Sequence, residues 1–152
     1  MSDTALTARG ASDRRLGRVV GTGLLAAVAA AAVTATAAAL ARAAGVGFEV
    51  PDGGESIPVS GVAFVTCVLS LVGVGLAVAL LRWSSRPAEH FVRTTVALTA
   101  ASLLPPFLVG ASTGTSLTLV GLHLLAAAVV VPALARALRT GPGSAATSDR
   151  PA

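Results

Sequence analysis

Three stretches of this chain carry no charge, and nothing else in it constrains the fold so tightly. Residues 19–41 and 59–81 each run 23 positions without Asp, Glu, Lys or Arg, and residues 94–135 run 42. Crossing the ~30 Å hydrocarbon core of a bilayer takes about 20 apolar residues in a helix. The first two runs match one span each. The third would measure about 63 Å as a single helix, roughly twice the core thickness, so it must fold back. The segment 110–116, Gly-Ala-Ser-Thr-Gly-Thr-Ser, supplies the turn. Four spans follow, over residues 18–44, 59–81, 92–110 and 116–138.

Composition agrees. Charged residues make up 12% of the chain, against about 25% in an ordinary soluble domain. A net charge of +4 and a pI of 11.3 raise the question of nucleic-acid binding. The arginines, however, flank apolar runs and no aromatic residues interleave them, so they read as orientation signals and nucleic acid is excluded as a partner. The chain has no Lys, Asn, Gln or Tyr and a single Ile. That bias toward GC-rich codons points to a high-GC bacterium, an actinobacterium. Cys67 is the only cysteine, so no intrachain disulfide forms.

Orientation follows from arginine placement. With four spans, Arg9, Arg14, Arg15, Arg18, Arg82, Arg86, Arg93, Arg136, Arg139 and Arg150 fall on one side and only Arg42 on the other. The positive-inside rule then puts both termini in the cytoplasm of a plasma-membrane protein, with loops 45–58 and 111–115 outside. Residues 1–17 and 139–152 read as disordered cytoplasmic tails. A cleaved signal peptide is the competing reading of the N-terminus, but the apolar run is too long for a signal's 7–15-residue core.

Half of residues 19–44 are alanine. Alanine is nearly neutral toward hydrocarbon, so this helix gains most from close packing by small residues and is expected to be the least lipid-exposed. Trp83 is placed as an interfacial anchor. Pro105 and Pro106 should kink the third span and Pro132 should bend the fourth.

His123 is the only ionisable side chain well inside a span, which makes it a candidate for function by default. Its plain reading is an imidazole that hydrogen-bonds across the bundle and fixes register; the sharper one is proton handling or ligand contact. Counted by depth from the outer ends, the other spans present Thr36, Thr66 with Cys67, and Ser102. Together with His123 these form a candidate intramembrane polar layer. The prolines at 105 and 106 would free the carbonyls of Ala101 and Ser102 at the same depth. A second candidate is the outer loop, where Arg42 could pair with Glu49, Asp52 or Glu55. Ordinary snorkelling is the plainer reading of Arg42, ahead of a role for the loop in binding a cation, a lipid headgroup or a partner, and the three carboxylates match no metal-binding spacing. Cys67 reads as inert packing and His90 as solvated.

No nucleophile–base pair, zinc motif or phosphate loop is present, so no catalytic, cofactor or metal residues are assigned. The spans also lack any Asp or Glu, which argues against proton-coupled export by a small four-helix exporter.

Certain segments carry a resemblance. They are the Arg-led, Ala-rich first helix, FEVPDGGESIPVS at 48–60, VGVGLAVALL ending in Arg82-Trp83, and STGTSLTLVGLHLLAAAVVVPALARAL at 112–138. Over most of residues 15–138 the chain resembles an uncharacterised family of actinobacterial four-helix membrane proteins, a domain of unknown function. The stretch LHLLAAAVVVPALA around His123 and Pro132 carries it most specifically. The resemblance implies four spans and a plasma-membrane location and brings no activity.

The expectation is an all-α, antiparallel four-helix membrane bundle with no enzymatic role. Its partners would be the bilayer and either further copies of itself or another membrane protein. The alternative is a small transporter or channel subunit in which His123 lies on a polar path.

Overall fold

The computed structural model describes residues 2–46, 58–104 and 113–140. Among them are four helices and no strand: α1 (Ser2–Ala43), α2 (Val59–Trp83), α3 (Pro87–Ser102) and α4 (Thr113–Arg139). The protein is all-α. Three of these helices, α1, α2 and α4, are long and apolar enough to cross a membrane. The sixteen residues of α3 rise about 24 Å, short of a full crossing.

Antiparallel packing is visible in the pairs that meet. Thr34 of α1 meets Thr66 of α2, and Gly23 meets Val74; Arg15 meets Leu138 at the far end of α4. Ser102 of α3 meets His123 of α4. α1 packs along both α2 and α4, and α3 touches the same two helices. α1 and α3 therefore sit on one diagonal and α2 and α4 on the other.

The buried seam of α1 is Val19, Gly23, Ala26, Ala27, Ala30, Thr34 and Ala38. The three-and-four spacing keeps these residues on one face, and their small size lets two neighbouring helices approach closely. In the most apolar window of α1 28% is buried, against 17% in α2 and in α4. The alanine-rich helix is thus the most enclosed of the three, as its composition requires. A larger core at the arginine-rich end joins Val19, Val74, Ala77, Phe91, Leu134 and Leu138, and a smaller one joins Ala38 and Leu122 at the other end.

Several boundaries differ from the sequence reading. α2 runs on to Trp83, and α3 starts at Pro87 rather than 92, because proline suits the first turn of a helix. Residues 2–17, read as a disordered tail, continue α1. They contain no proline and are rich in Ala, Leu and Arg, all good helix formers; Gly10 and Gly17 weaken the extension by about 1 kcal/mol each without breaking it. Extending a helix whose nucleus is already packed costs little. Two arginines also tie this segment down, since Arg15 donates to the Leu138 carbonyl at 2.9 Å and Arg18 to that of Thr140 at 3.2 Å. Those carbonyls belong to the last turn of α4 and the residue after it, where acceptors lack helical partners.

Three more concern the ends of α3 and α4. α4 starts at Thr113, inside the expected turn, and buries Thr115 and Ser116. It continues through Pro132 to Arg139, one residue into the expected tail. α3 ends at Ser102 rather than near 110, in a turn closed by Leu103 N to Ala100 O and Leu104 N to Ala101 O, both 3.3 Å. The residue before a proline is pushed out of helical conformation, which fits an ending just ahead of Pro105. The Ala101 carbonyl is therefore taken rather than free. Pro105 and Pro106 themselves, and the rest of the expected third span, lie outside the described residues.

α1 stops on a glycine cap. Gly45 has φ 87°, Val46 N bonds to Ala41 O at 3.0 Å and Gly45 N bonds to Arg42 O at 3.0 Å. This reciprocal pair satisfies the final carbonyls and needs a left-handed residue, which glycine adopts without strain. Between α2 and α3 only residues 84–86 intervene. Pro87, at the first turn of α3, has no N–H to lose there.

Candidate functional site

α3 and α4 run antiparallel, and this brings Ser102 to His123, with Oγ 2.7 Å from Nε2. Ser102 Oγ also lies 2.8 Å from the Thr99 carbonyl, to which it donates. A hydroxyl has one proton, so Ser102 accepts from His123, and Nε2 carries the hydrogen. The half-buried ring of His123 lines a cleft.

The rest of the expected layer is split and shifted. Thr66 pairs with Thr34, their hydroxyls 3.2 Å apart, and not with Thr36. Thr34 is fully buried and also bonds to the Ala30 carbonyl at 2.8 Å. Thr36 is exposed, and its hydroxyl is spent on the Ala32 carbonyl at 2.9 Å. Thr36 therefore leaves the candidate site and Thr34, which the sequence reading missed, enters it. Two positions along a helix turn the side chain by about 200°, so Thr34 and Thr36 share a depth but not a face. The described residues hold two polar pairs, with no hydrogen bond joining one to the other.

Ser102, His123 and Thr66, but not the buried Thr34, border one cleft. It has a volume of about 620 Å³ and lies between α2, α3 and α4, within the size range of small-molecule sites. Its walls are mostly aliphatic, and Val65, Leu69, Val72 and Leu98 line it while remaining more than half exposed. The cleft is thus open along its side. Its hydroxyls are largely occupied by their own helices: Ser70 donates to the Thr66 carbonyl at 2.7 Å and Thr95 to that of Phe91 at 2.7 Å. His123 and Thr99 are further polar residues in its wall.

Of the outer-loop candidates, Arg42 is exposed in the last turn of α1. Glu49, Asp52 and Glu55 lie outside the described residues. No group of His, Cys, Asp or Glu capable of holding a metal occurs among the described residues. His90 is not simply solvated. Its Nδ1 lies 2.6 Å from Ser84 Oγ, which also accepts from Arg86 N at 3.2 Å, so the ring braces the turn between α2 and α3.

No curated protein and no solved structure matches the chain significantly. A family model does, over residues 14–140, from the arginines that anchor the start of the bundle to the residue that follows α4. The chain, with its small-residue seam and its histidine-bearing fourth helix, belongs to the family of unknown function DUF6069.

Proposed function

We propose that this chain is a multi-pass protein of a bacterial plasma membrane, with cytoplasmic termini, that acts by binding an apolar partner and performs no catalysis. The partner is a transmembrane segment, from a second copy or from another membrane protein. The cleft between α2, α3 and α4 carries this reading. Its aliphatic walls are exposed in the monomer, and a membrane helix seated there would gain dispersion contacts and reach His123. The hydroxyls tied back to their own helices leave little to line an aqueous path. Arginine placement supports the orientation and codon bias supports the source.

The test is site-directed crosslinking in native membranes with Cys67 first replaced by Ala. Leu98→Cys, at the cleft mouth, should give a discrete adduct, and Leu25→Cys, exposed on α1, should not. A Leu98→Cys protein that stays a single uncrosslinked band in membranes that express it normally would rule the reading out.

One observation favours a transporter or channel subunit instead, namely that His123 lines the cleft. A water-filled path would let a membrane-impermeant reagent modify His123 in the intact membrane, whereas a cleft filled by a helix would shield it.

A further inference from the structure

A second cavity lies at the arginine-rich end of the bundle, away from the cleft. It has a volume of about 490 Å³ and is lined by Arg15 of α1, Arg86 and Arg93 at the start of α3, and Arg139 at the end of α4. One carboxylate, Glu89, shares it and bonds to Arg93 at 2.9 Å and to Arg86 at 3.6 Å. Four guanidiniums from three helices against one carboxylate leave a strong positive excess. Like charges are not gathered this way for stability, since each pair repels.

Two sets of donors without acceptors lie in residues that line the cavity. Arg15 spends one Nη on the Leu138 carbonyl, which fixes the side chain. Its Nε is shut off from solvent and has no hydrogen-bond partner, a costly state for a charged donor. The first turn of α3 adds Ala88 and Glu89, whose backbone N–H groups precede the helical ladder and receive no side-chain cap. The position matters equally. Arg15 lies one turn before residue 19, where the uncharged run begins, and Arg139 follows the last apolar residues of α4. Headgroups occupy that level of a bilayer.

We propose that this cavity binds a phosphate-bearing anion, supplied by the headgroup of an anionic phospholipid in the leaflet at this end. Guanidinium forks suit phosphate oxygens, and basic pockets between helices on the cytoplasmic side are built for such headgroups. Glu89 tunes the site by holding Arg86 and Arg93 until the anion competes for them. The proposal is independent of what fills the cleft.

The full chain, purified in mild detergent, is incubated with equal amounts of phosphatidylglycerol and phosphatidylcholine, and retained lipid is read by native mass spectrometry. Phosphatidylglycerol should be retained selectively. Arg139→Gln and Arg15→Gln should each weaken retention about fivefold, as expected for one cation near a charged surface. Arg42→Gln, at the opposite end, should leave it unchanged. Glu89→Gln should strengthen retention, which a purely structural role for the ion pairs would not produce. If Arg15→Gln loosens the α1–α4 contact and does not fold, the exposed Arg139 and Glu89 variants still decide. Inorganic phosphate that binds the lipid-free protein, loses affinity in the same variants and is not displaced by phosphatidylglycerol would support the anion site and assign it a soluble source. Equal retention of both lipids, with no effect of any variant and no phosphate binding, would overturn it.

Discussion

Gly23 of α1 lies so close to Val74 of α2 that a Cβ built on it would stand 2.5 Å from Val74 Cγ2 and 3.0 Å from Leu134 Cδ2. Val74 and Leu134 are both buried, and a β-branched side chain has little freedom to swing away. Gly23→Ala should therefore force α1 off its neighbours and destabilise the bundle by about 1–3 kcal/mol, the usual cost of overpacking. Gly21→Ala is the matched control, because nothing lies within 4 Å of its Cβ position. Thermal unfolding in detergent should lower the midpoint for the first and hold or raise it for the second. Equal midpoints would mean that the helices are not in this register.

The hydroxyl pair between Thr34 and Thr66 gives a second test. Thr34→Val keeps the shape and removes the hydroxyl bond between α1 and α2. Interhelical hydrogen bonds in membranes contribute about 0.6 kcal/mol on average and about 1.7 at most. The midpoint should fall by a corresponding few degrees, while Thr36→Val, at an exposed site, should change nothing. The reverse ranking would restore Thr36 to the polar layer.

The contrast between those two threonines shows where the sequence stopped being legible. Uncharged length gives the rough limits of the three long apolar helices, and depth counting from their ends put Ser102, Thr36 and Thr66 at the level of His123, of which Ser102 meets it. Depth carries no information about face. Thr34 was findable from phase, since it continues the small-residue seam through Gly23, Ala26 and Ala30 at helical spacing. Composition misled at the N-terminus. Residues 2–17 are polar enough to read as unstructured, yet the anchors that hold them helical, the Leu138 and Thr140 carbonyls, are more than 120 positions away. The α3 end resisted for a different reason, because proline permits either a kink or a stop and local sequence does not choose.

Those same anchors make an orientation prediction. Arg15 and Arg18 reach the end of α4, so the start of α1 and the end of α4 share one side of the bundle. A reporter active only in the cytoplasm should be active at both termini, and one active only outside should be active within residues 48–56. Termini found on opposite sides would require an odd number of crossings and would contradict the α1–α4 contact itself.

Ser102 and His123 supply the last prediction. Because Ser102 gives its only proton to Thr99, the pair depends on His123 Nε2 as donor, and the two side chains act as one unit joining α3 to α4. α3 is the shortest of the described helices and borders the open cleft from Phe91 to Ser102, so this bond is a principal tie there. His123→Leu and Ser102→Ala should each lower the unfolding midpoint, and the double variant should cost less than the two singles combined. The coupling expected is about 0.6 kcal/mol, reaching about 1.7 if the site stays dry. His123→Gln tests the donor geometry more narrowly, because its amide N–H₂ can replace the ring N–H and should recover part of the loss. Strictly additive single effects would show that the histidine and the serine work apart, and the ring would then have to be explained by what it meets in the cleft.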